Sequence, residues 1–152
     1  NIKGGTVTQD VFGGGEAANV AGSTAINVTS GTVSRDLYGG GALADVTGNT
    51  VVSLTGGTVN NVYGGGLGDA STAALINGGT TVTLNGSVVK GSVFGCNNVN
   101  GKPVGGASVT VTGGTINDNV YGGGNKAAYS VYGYNTSTGA PITSELSGIT
   151  FP

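Results

Sequence analysis

The sequence predicts an all-β chain wound as a parallel β-helix, a β-solenoid of about five to six coils with 25–31-residue repeats. Three observations predict it. A glycine-punctuated line recurs five times, pairs of aliphatic residues two apart recur between its copies, and no window holds the i, i+3, i+4 spacing of a helix. A β-sandwich is the main competitor, but its strands have no need to repeat their own sequence.

The first copy of the line runs from Gly5-Thr6-Val7 through Asp10-Val11-Phe12 to Gly13-Gly14-Gly15. It returns as Gly31-Thr32-Val33 with Asp36-Leu37-Tyr38-Gly39-Gly40-Gly41, and again as Gly57-Thr58-Val59 with Asn61-Val62-Tyr63-Gly64-Gly65-Gly66. The stretch from Gly86 to Gly95-Cys96 is a degenerate copy, and Gly114-Thr115-Ile116 with Asn119-Val120-Tyr121-Gly122-Gly123-Gly124 is the fifth. The aromatic positions 12, 38, 63, 94 and 121 lie 26, 25, 31 and 27 residues apart.

Between the copies, Ile26/Val28, Val52/Leu54, Val82/Leu84 and Val109/Val111 alternate with small polar residues. That is the period of a strand with one buried face. A third apolar point falls near Val20, Val46, Ile76 and Val104. Coils stacked at roughly 4.8 Å would make a rod about 25 Å long. Glycines mark the corners, where positive φ or close backbone approach is needed.

Two stretches exceed the period: 67–77 and 97–103. Insertions in solenoids map to loops, often on one face. Residues 1–124 therefore read as β-helix repeats, and 125–152 as a Tyr-rich loop followed by a terminal coil or cap, with Ser147-Gly148-Ile149-Thr150 as its start. The chain begins at the edge of a repeat without a Met, and reads as an excerpt of a longer protein.

Composition removes several functions. The chain has 152 residues, 33 of them Gly, with five Lys and Arg against seven Asp and Glu and a net charge of −2. The bases are scattered, which argues against nucleic acid as a partner. No apolar stretch approaches the roughly 20 residues of a transmembrane helix, and no signal peptide is evident. With no His and a single Cys96, a disulfide within the chain, a Cys/His zinc site and a Ser-His or Cys-His nucleophile pair are all excluded. No cofactor is expected. Low charge, many Thr and Asn, and almost no Cys suit a bacterial extracellular protein.

Lines of the form Gly-Thr-Val…Val-Tyr-Gly-Gly-Gly resemble the glycine-rich repeats of large secreted and cell-surface proteins of bacteria, gut anaerobes above all. They are also similar in style to the β-helical passenger domains of autotransporter adhesins. The resemblance covers residues 4–124. It implies a right-handed parallel β-helix at the cell surface, with adhesion or display as its role. It carries over no catalytic residue.

Several residues invite chemistry. Phe12, Tyr38, Tyr63, Phe94 and Tyr121 form either an outward ladder for sugar rings or an inward or corner stack that fills the core. Tyr38, Tyr63 and Tyr121, together with Tyr129, Tyr132 and Tyr134, are the candidate glycan contacts. Asp10 and Asp36 share one repeat position, as stacked acids do in polysaccharide-cleaving β-helices, but the series continues as Asn61, Ser92 and Asn119. Polar residues capping backbone groups explain that series better. Asp45 and Asp69 suggest calcium without the repeat-type calcium motif. Gly95…Gly101-Lys102-Pro103 fails as a phosphate loop, and the glycosylation triplets at Asn27, Asn85 and Asn135 are expected by chance in an Asn/Thr-rich chain. The rows Asn27/Ser53/Thr83/Thr110 and Thr29/Thr55/Asn85/Thr112 suggest a flat hydroxyl face of ice-binding type.

The expectation is a non-enzymatic bacterial surface or secreted segment acting as adhesin or structural scaffold. The alternatives are a glycan-binding module, less so a polysaccharide-degrading one, or an ice-binding or self-assembling solenoid. Partners would be a host or microbial glycan, a surface protein, or a second copy joined end to end.

Overall fold

The computed structural model describes residues 1–128. The residues beyond, where the Tyr-rich loop, the terminal coil or cap and Tyr129, Tyr132 and Tyr134 fall, lie outside the described part. Eleven strands and no helix are present there: β1 (Ile2–Val7), β2 (Val11–Phe12), β3 (Thr24–Val33), β4 (Leu37–Tyr38), β5 (Thr50–Leu54), β6 (Thr58–Val59), β7 (Val62–Tyr63), β8 (Thr80–Val89), β9 (Val93–Phe94), β10 (Ala107–Ile116) and β11 (Val120–Tyr121).

Every pairing between them is parallel. One sheet stacks β1-β3-β5-β8-β10, with β6 filling the gap between β3 and β8, and the other stacks β2-β4-β7-β9-β11. A third face is a column of single parallel bridges, Val20–Val46–Ile76–Pro103. The chain is thus a β-solenoid. Register follows Ile2, Val28, Leu54, Leu84 and Val111, so five strand levels enclose about four turns rather than five to six. The sequence count took each copy of the line as a coil and added one from 147–150, which lies outside the described residues.

Alternation decides which side chains go in. Along β3, Thr24, Ile26 and Val28 are buried while Ala25, Asn27 and Thr29 face solvent. In register with them, Val52, Leu54, Val82 and Leu84 are wholly buried, and with Val33, Leu37, Val59, Val62, Val89 and Val93 they make one continuous core. Each is worth about 1.5–3 kcal/mol on burial.

The same strands turn a corner where φ is positive, at Gly31 (+88°) and Gly57 (+77°). The degenerate fourth line solves this corner differently. Val88 pairs with Thr58 and Val89 with Val59, so Val89 takes the inward place and Val88 faces outward. The positive φ falls on Gly86, one residue earlier than register with Gly57 would place it, and the buried Ser87 donates its hydroxyl to the Gly56 carbonyl at 2.6 Å.

The third apolar point is corrected from Val104 to Pro103. Val104 is 56% exposed. The amide of Ile76 donates to the Lys102 carbonyl, and that of Val104 to the Ile76 carbonyl. These bonds bracket position 103, so the missing N–H of proline is never called upon.

Candidate functional site

The aromatic column is a face-to-face stack. Ring centroids of Phe12, Tyr38, Tyr63 and Phe94 follow one another at 4.8 Å, and Tyr121 follows at 4.9 Å, with interplanar angles of 3–10°. The spacing is the coil rise itself, imposed by parallel strands on side chains in register. It brings Tyr38, Tyr63 and Tyr121 together with the two phenylalanines.

Tyr38 and Tyr63 are 2% and 3% exposed, while Tyr121, on the last described level, is 44% exposed. Both faces of the inner rings are covered by their neighbours, so neither offers a face for a sugar to stack on. Tyr38, Tyr63 and Phe94 form a buried satellite core, with the half-buried Phe12 and Leu67 packed against it.

The glycine that follows each ring makes this stacking possible. A Cβ on Gly39 would fall onto the Gly64 carbonyl oxygen, and one on Gly64 onto that of Gly95. The same carbonyls of Gly39, Gly64 and Gly95 accept the buried hydroxyls of Thr24, Thr50 and Thr80 at 2.5–2.6 Å. These bonds cross the interior of each coil and brace one sheet against the other.

Asn98 and Asn125 were not singled out by sequence reasoning. Asn98 donates to the Tyr38 hydroxyl at 2.9 Å, the Asn125 amide lies beside the Tyr63 hydroxyl, and Asn125 donates to the Asn98 Oδ1 at 3.0 Å. Their signal was the common offset of four residues after Phe94 and Tyr121. Burial is the main cause that raises both phenols, against the opposing pull of these amides, and it lifts Tyr63 to about 12. Burial likewise pushes the Cys96 thiol up to about 11. A buried, protonated thiol is a poor nucleophile.

The acids are structural in their bonding. The side-chain oxygens of Asp10, Asp36, Asn61 and Ser92 each accept the backbone N–H of the next residue in the column, at 3.0, 3.1, 2.9 and 3.3 Å. Asp36 also accepts from the side-chain amides of Asn60 and Asn61, and Arg35 lies 3.7 Å from Asp10. Asn19 and Asp45 form a second such column, ending on the Leu75 amide, and Ser23 and Asn49 a third, ending on that of Gly79.

Asp69 closes its own turn by accepting from Ser71 and Thr72. Among the described residues no three His, Cys, Asp or Glu converge as metal ligands would. Of the glycosylation triplets, Asn27 and Thr29 are exposed, Ser87 is buried and Asn135 lies outside the described residues.

The two insertions meet. Asn100 donates to the Asp69 carbonyl at 2.8 Å, and the buried Asn97 donates to those of Ala74 and Asn100 at 2.7 and 3.2 Å. The Asn97 Oδ1 has no hydrogen-bond partner among the described residues and faces Gly65, where a Cβ would strike it. Beside this brace opens a cavity of about 230 Å³, lined by Ala73, Leu75, Asn100, Gly101, Lys102 and Ala128.

Compared with known proteins, the chain matches no family model, no curated protein and no solved structure.

Proposed function

We propose that the chain is a non-enzymatic segment of a bacterial cell-surface or secreted protein, a right-handed β-helix that serves as a stiff scaffold or adhesive surface. One observation carries the reading. The column of acids that a polysaccharide-cleaving β-helix would aim at its substrate is spent on holding coil to coil: Asp36 alone accepts from Asn60, Asn61 and its backbone amide. All three donors belong to the next coil, so the carboxylate's bonding serves the stack. Right-handedness follows the general preference of parallel crossover connections.

Incubation with a panel of polysaccharides tests the reading, with the expected result of no turnover. Robust hydrolysis abolished by Asp36→Ala would sink it.

Glycan binding is the second reading, and the cavity between the insertions favours it. A glycan array reads it directly: saturable binding supports it, and a blank array from folded protein refutes it. On the last described level Val111, Val120 and Tyr121 are exposed, and sedimentation tests whether copies associate end to end.

A further inference from the structure

We infer that the cavity between the two insertions is a binding site for a single acidic sugar unit, a uronic acid at the end of a glycan or pendant from it. The inference rests on the glycan-binding reading above and gives it a place and a ligand class.

The cavity owes its existence to two departures from the repeat. The turn containing 67–77 takes 30 residues by register, from Leu54 to Leu84, where the two before it take 26 each. The extra residues precede Ile76 of the bridge column, and the next turn, which holds 97–103, takes 27 residues from Leu84 to Val111. Neither lies loose. Asn97, wholly buried, clamps Ala74 and Asn100 from below, Asn100 reaches across to Asp69, and the amide of Ile76 donates to the Lys102 carbonyl at 3.2 Å.

Burying Asn97 with its Oδ1 unpaired works against stability, yet the amide stays where it holds both loops. A hollow whose walls are fixed before the ligand arrives avoids the ordering loss that weakens binding by loose loops.

Size and lining define the occupant. A volume of about 230 Å³ lies below the roughly 300–1,000 Å³ of sites for drug-sized ligands and fits one ring. Ala73 and Leu75 give an apolar wall for the C–H face of a sugar, and Asn100 gives a polar edge for its hydroxyls. Among the described residues of the lining, Lys102 is the one that carries a charge. It already makes a contact of its own, but an ammonium carries three donors and so can also receive a carboxylate. Nearby Asp69 directs its Oδ1 to the Ser71 and Thr72 amides of its own turn.

The test is titration of the full chain with methyl β-glucuronide and, as a neutral twin, methyl β-glucoside, followed by nuclear magnetic resonance. The expected result is saturable shifts at Ala73, Leu75, Gly101 and Lys102 with the glucuronide. Affinity should fall at least tenfold for the glucoside and for Lys102→Met, with circular dichroism showing the variant folded. Leu75→Ser, which spares the charge, should also weaken binding.

No binding, equal binding of both sugars with Lys102→Met unaffected, or shifts confined to Tyr38, Tyr63 and Tyr121 would overturn the assignment. Glycan-array binding that survives Lys102→Met and Leu75→Ser would overturn this site while leaving the glycan-binding reading intact. A blank array would remove both.

Discussion

Replacing Tyr63 by alanine probes the stacked column at its centre. The ring is 3% exposed and has a stacked partner on each side at 4.8 Å, Tyr38 and Phe94. Deleting a buried aromatic side chain costs about 3–5 kcal/mol, of which roughly 0.5–1.5 belongs to each stacked pair. At Tyr121 the same substitution removes a ring that is 44% exposed and, among the described residues, has one stacked neighbour at 4.9 Å, so the loss should be about 1–2 kcal/mol. Tyr63→Phe keeps the ring and removes only the hydroxyl beside the Asn125 amide, with an expected loss of no more than about 0.5–1.5 kcal/mol.

Urea unfolding followed by circular dichroism reads all three. Since a solenoid is stabilised level by level, Tyr63→Ala should also broaden the transition as the two levels on each side of it uncouple. Equal losses at Tyr63 and Tyr121, or a loss below about 1 kcal/mol at Tyr63, would refute the reasoning.

Other consequences are equally direct. Gly39→Ala should destabilise by more than about 2 kcal/mol or prevent folding, because its Cβ meets the Gly64 carbonyl, whereas Gly106→Ala, with open space and no positive φ, should stabilise by about 0.4–1 kcal/mol; thermal melts of the pair decide. Tyr63 in the unfolded chain ionises near 10 but in the fold holds its proton to about 12. Its contribution is therefore present below about 10 and lost as pH rises toward 12, and phenolate absorbance should rise for it only together with alkaline unfolding. Cys96, 1% exposed and with its thiol raised to about 11, should react with a thiol reagent only at the rate of unfolding, and prompt reaction in the native protein would contradict its placement.

Much of the fold is legible in the sequence because the repeat carries its own register. Ile26/Val28, Val52/Leu54 and Val82/Leu84 alternate with period two, and parallel stacking places like on like. What escaped was whatever depends on geometry between levels. The shift of Val88 and Val89 is invisible until a partner strand fixes it, since a one-residue slip exchanges inward for outward.

Apolarity alone favours Val104 over Pro103 in the sequence, whereas backbone bonding at residues 102 and 104 assigns the position to Pro103. The direction of the aromatic column was left open by sequence, because turns of varying length separate it from the first sheet. The brace at Asn97 rests on contacts 23 residues apart that no local pattern announces.

A crystal structure grown with and without a mixed-glycan soak would put these statements to the most direct trial. The expected result is five rings stacked in coil order, no sugar on Tyr38 or Tyr63, and new density beside Leu75 and Lys102. Sugar stacked on an open Tyr38–Tyr63 platform, or strands that do not pair in parallel from level to level, would contradict it.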